Sequence, residues 1–213
     1  MSYVFIEGNR PLYTDKKFLS ACLSIEQNMI AKLTGTEQWG RKHGGIDPAR
    51  GEFGHTTILP EWFCDETGLA AGVLDKNHTP ATWGTNSFRQ LFTGTSPATH
   101  AIPGWKTILQ GGKVDELGNM PDKVALGLIG FAITSKINPI TKLKLQLGTE
   151  KGVIIDIEQM KAFNKPSIIF EQGWEVYQQD PFELKGFFEA SGYVRVVPLG
   201  PGYYKEKSVV IRE

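Results

Sequence analysis

Between Asp15 and Leu33 apolar residues return every three or four positions, at Phe18, Cys22, Ile25, Met29 and Leu33, with Leu19, Leu23 and Ile30 widening the same surface. That period predicts one amphipathic helix over 15–33. Thr14 or Asp15 is placed to cap its start and Gly35 to end it. Such a helix lies over a sheet, closes one end of a barrel or packs on a neighbouring subunit. Ahead of it Tyr3 to Ile6 reads as a brief strand, stopped by Gly8-Asn9-Arg10-Pro11.

The last ninety residues change period. Ala125 to Thr134 is a continuous apolar strand, and Thr141 to Leu147 alternates, with Leu143, Leu145 and Leu147 inward and Lys142, Lys144 and Gln146 outward. Gly152 to Ile157, Ser167 to Glu171, Trp174 to Gln178, Glu183 to Glu189, Tyr193 to Pro198 and Ser208 to Arg212 continue the series, each parted from the next by a Gly, Pro or Asp turn. Parallel strands would need helical crossovers for which there is no room, so the pattern predicts an antiparallel jelly roll or β-sandwich. The fold class is all-β dominated, with one N-terminal helix and long ordered loops.

Residues 36–122 are harder to read. Glycines and prolines from Gly44-Gly45 to Gly118 interrupt regular elements, yet Trp39, Phe53, Trp62, Phe63, Trp83, Phe88, Phe92 and Trp105 supply more aromatic bulk than disordered linkers carry. The expectation is a packed, loop-rich insertion with a few short strands such as Thr57 to Leu59. No boundary splits the chain, so residues 1–213 are read as one jelly-roll-like domain, strand-rich over 124–213.

Composition narrows the chemistry. Lys plus Arg equals Asp plus Glu, 23 against 23, so no net field draws the chain to nucleic acid or an anionic membrane. The 2 cysteines, Cys22 and Cys64, fit no zinc or C-x-x-C spacing and are expected as buried small hydrophobes in a reduced protein. The opening MSYVFIEGNRP shows no basic stretch followed by a long apolar core, so no cleaved secretory signal is expected and the Asn77-His78-Thr79 sequon is expected to be a chance match; Val124 to Ile133 is too short to cross a bilayer. His43, His55, His78 and His100 show no metal-ligand spacing, although a zinc site could still converge from them with Cys64, Asp65 or Glu66. No serine lies in G-x-S-x-G, and neither Gly127-Leu128-Ile129-Gly130 nor Gly111-Gly112-Lys113 has nucleotide-loop spacing. The expectation is no catalytic residue, no metal and no cofactor, so the chain is read as not an enzyme.

The aromatic residues of the turn-rich segments are expected as anchors between copies: Trp39, Trp62, Trp83, Trp105, Tyr203 and Tyr204. Gly200-Pro201-Gly202-Tyr203-Tyr204 reads as an exposed turn leading into an aromatic docking surface, with an edge-strand hairpin as the alternative. Leu143-Lys144-Leu145-Gln146-Leu147, the short strands after it, and Phe187 to Gly200 resemble strands of the single-jelly-roll capsid proteins of icosahedral double-stranded DNA viruses of archaea or thermophilic bacteria. The resemblance covers roughly Val124 to Glu213 and rests on strand rhythm; the helix and the Gly/Trp-rich tract depart from it. It implies a virion protein, assembled in the host cytoplasm, that self-associates into capsomers. It leaves room for a second capsid protein and for contact with an internal viral membrane. The alternatives are a carbohydrate- or ligand-binding β-sandwich, using rings such as Trp62, Trp83, Trp105 and Trp174, and a metal-dependent enzyme.

Overall fold

A computed structural model describes residues 3–6, 15–34, 54–64, 88–92, 102–112, 118–133, 139–147 and 152–204. Two antiparallel sheets face one another. Sheet 1 joins β1 (Tyr3–Ile6), β9 (Ser167–Val176), β6 (Val124–Ile133), β11 (Gly192–Leu199) and β4 (Arg89–Phe92) in that order, with β12 (Pro201–Tyr204) between β6 and β2 (Gly54–Thr57). Sheet 2 runs β3 (Phe63–Cys64), β5 (Gly104–Gly111), β10 (Phe182–Phe188), β7 (Ile140–Leu147) and β8 (Val153–Asp156). From β5 to β11 every connection except the β7–β8 hairpin passes from one sheet to the other, the winding of a jelly-roll-like sandwich.

The core between the sheets explains the strand patterns. On β10, Phe182, Leu184 and Phe188 are buried beside the glycine at 186, while Glu183, Lys185 and Phe187 alternate outward. On β7, Leu143 and Leu145 point in and Lys142 out, as the alternation predicts. They meet Leu126, Leu128, Phe131, Ile168, Phe170 and Val196 of sheet 1 in one continuous cluster.

β6 has no polar face because both its sides are covered. Val124, Leu126 and Leu128 face sheet 2, whereas Ala125 and Ile129 lie under α1 (Lys16–Thr34), where Phe18, Ile25, Met29 and Leu33 form a second apolar layer with Ile169 and Tyr203. A register shift against β9 between Leu128 and Gly130 reverses the parity, so that Phe131 and Ile133 face the sandwich beyond it. Asp15 starts the helix: its Oδ1 accepts from the backbone N–H groups of Lys17 and Phe18 at 2.9 and 3.0 Å. The helix therefore lies over a sheet. Its apolar surface is narrower than the sequence suggests, for Leu19 and Leu23 are 40% and 58% exposed. At 100° per residue they stand well round the helix from the Ile25–Met29 stripe.

Several strands differ from the sequence reading. The strands expected at Ser167 to Glu171 and Trp174 to Gln178 are one, β9, which ends at Val176; it runs on through Gly173, a packing site where a Cβ would come 2.5 Å from Ile25 Cδ1 of α1. The Thr57 to Leu59 strand lies earlier, at Gly54–Thr57, and β5 and the short helix α2 (Ile157–Ala162) were not expected. The 200–204 segment is a buried inner strand rather than an exposed turn. β11 and β12 follow each other along β6, kinked at Gly200, whose φ of 143° and closeness to the Gly127 carbonyl leave no room for a side chain. Ser208 to Arg212 lies outside the described residues.

Candidate interaction surface

The outer faces of the two sheets are dressed differently. Sheet 1 carries α1, whereas the outer face of sheet 2 is formed by rows of cross-strand neighbours. One row runs Trp105, Phe187, Lys142, Asp156, and the next Thr107, Lys185, Lys144, Ile154. Trp105 and Phe187 are half-buried and meet edge to face, with ring centroids 5.5 Å apart and planes at 69°. Ile154 is 57% exposed on the edge strand β8. Glu183 is held on both oxygens: Thr107 Oγ1 donates to Oε1 at 2.8 Å and Lys185 Nζ lies 3.0 Å from Oε2. Lys144 lays its stem over Gly152, where a Cβ would come 2.7 Å from its Cε. The result is an aromatic pair and one isoleucine set among lysine stems.

Behind this face lies a lysine that no motif in the chain singles out. Lys106 is 1% exposed and pairs across the strands with Gly186, so it points toward the interior side of sheet 2.

A polar cluster fastens α1 to sheet 1. Lys32 pairs with Glu175, which also accepts from the Tyr177 hydroxyl at 2.8 Å. Glu26 stands 3.3 Å from His55 Nε2, and the His55 ring stacks on Tyr203 at 5.1 Å. Burial, and then the nearby Glu26 carboxylate, push the Cys22 thiol up to about 11 and the Tyr203 phenol far above its ordinary range. Burial also raises Tyr177, reinforced by its hydrogen bond to Glu175 and by the Glu175 and Asp180 charges. These shifts keep the three groups neutral at ordinary pH. They favour a structural seam over a nucleophile, since a reactive thiol needs a lowered value.

The expected anchors fall into three groups. Trp62 and Tyr203 are 3% and 1% exposed, packed against the chain's own residues, so their rings face inward here. Trp62 rests on Gly202, where a Cβ would meet its ring at 2.5 Å, and Tyr203 lies under α1. Trp105 and Tyr204 are half-buried. Trp39 and Trp83 lie outside the described residues, as do His43, His78, His100, Asp65 and Glu66. Trp174 packs partly into the core, 6.4 Å from Phe170. Both cysteines are free; Cys64 is buried and Cys22, expected to be buried, is half-exposed at the flank of α1.

Among the described residues no three His, Cys, Asp or Glu side chains converge as metal ligands, and no helix is long and apolar enough to cross a membrane. Phe187 and Ile154 escaped the sequence reading because their neighbours are cross-strand residues far away in the chain. The alternation of β10 was the available signal, since it put Phe187 on the polar side of a half-buried strand. Comparison with protein-family models, with curated proteins and with solved structures finds no match to this chain.

Proposed function

We propose that this chain is a structural shell protein whose copies associate into capsomers of an icosahedral virion. The observation that carries the reading is the contrast between the outer faces, one covered by α1 and the other offering Trp105, Phe187 and Ile154. Aromatic rings within a charged border have the composition of an interface core and its rim. Apolar burial contributes about 25 cal/mol per Å² before ordering costs, so contacts of about 1,500 Å² repeated by symmetry hold a large assembly without covalent links. The strand rhythm of the C-terminal ninety residues supports the same reading through its resemblance to single-jelly-roll capsid proteins. With 23 basic and 23 acidic residues, such a shell would not hold its genome through the net charge of this chain. A second capsid protein and an internal membrane are further partners in this proposal, and the virion is its location.

A sugar-binding platform needs ring faces open for stacking. The edge-to-face packing of Trp105 and Phe187 turns one ring against the other and favours protein contact. Light scattering on the eluting protein separates the readings. The wild type is expected at multiples of 23.6 kDa that grow with concentration, and Phe187→Glu and Trp105→Ala at smaller masses with an unchanged circular dichroism spectrum. A wild type that stays at 23.6 kDa contradicts the shell, and glycan binding by that monomer would favour the carbohydrate alternative.

A further inference from the structure

We draw no further inference here: the strongest candidate, the open cleft between the flank of α1 and β9 with Lys16, Lys17 and Glu171 around a lining of Ala21 and Ile169, offers no occupant to argue for, since nothing among the described residues shows what covers it.

Discussion

Trp62 shows how burial decides between two readings of one residue. Its ring is 3% exposed over Gly202, and its Nε1 is buried with no hydrogen-bond partner among the described residues. Truncation to alanine should therefore cost about 3–5 kcal/mol of folding stability through the cavity it leaves. Trp62→Phe should cost clearly less, because it keeps much of the ring and removes an N–H whose desolvation is uncompensated. Urea unfolding of the two variants measures the difference. An alanine variant as stable as the wild type but defective in assembly would return Trp62 to the surface role that its turn-rich surroundings suggest. Sequence alone could not choose, since a tryptophan among glycines looks the same whether the loop folds inward or outward.

At the scale of elements, the layer formed by α1 and sheet 1 carries a pH signature. Cys22, Tyr177 and Tyr203 all have raised values in the folded chain, with burial as the leading cause, and Glu26, Glu175 and Asp180 add negative charge around them. Lys32 and His55 line the same seam. A raised value means that the folded state holds its proton more tightly. The stabilising contribution is then complete below the unfolded values, 9.0 for the thiol and 10.0 for the phenols, and is lost as pH rises beyond them. The urea midpoint is expected to be flat from neutrality to about 9 and to fall between about 9 and 11, with Cys22→Ala removing part of the early decline. A midpoint unchanged to about 11 would contradict the buried seam.

The same elements show what could be read beforehand. α1, β6, β7, β10 and β11 were legible because each buries one face at a fixed period, or both faces at once in β6. β5 was not, since glycines bound it and a bulge puts both Ile108 and Leu109 into the core, which breaks the alternation. Gly173 and Gly200 looked like chain breaks but mark places where α1 and β6 come too close for a side chain. Of the candidate surface, Trp105 was visible as an aromatic residue. The pairing that sets it beside Phe187 and Lys142 is a tertiary fact.

The described residues form a three-layer stack, helix over sheet 1 over sheet 2, with the half-buried pair Trp105 and Phe187 on the far side from the helix. In the shell proposed above, this face is the one that becomes interior when copies meet. Electron microscopy of the purified chain tests the claim most directly. The account predicts regular capsomers or closed shells built from repeated copies; a uniform field of single 23.6 kDa particles at every concentration and salt would contradict it.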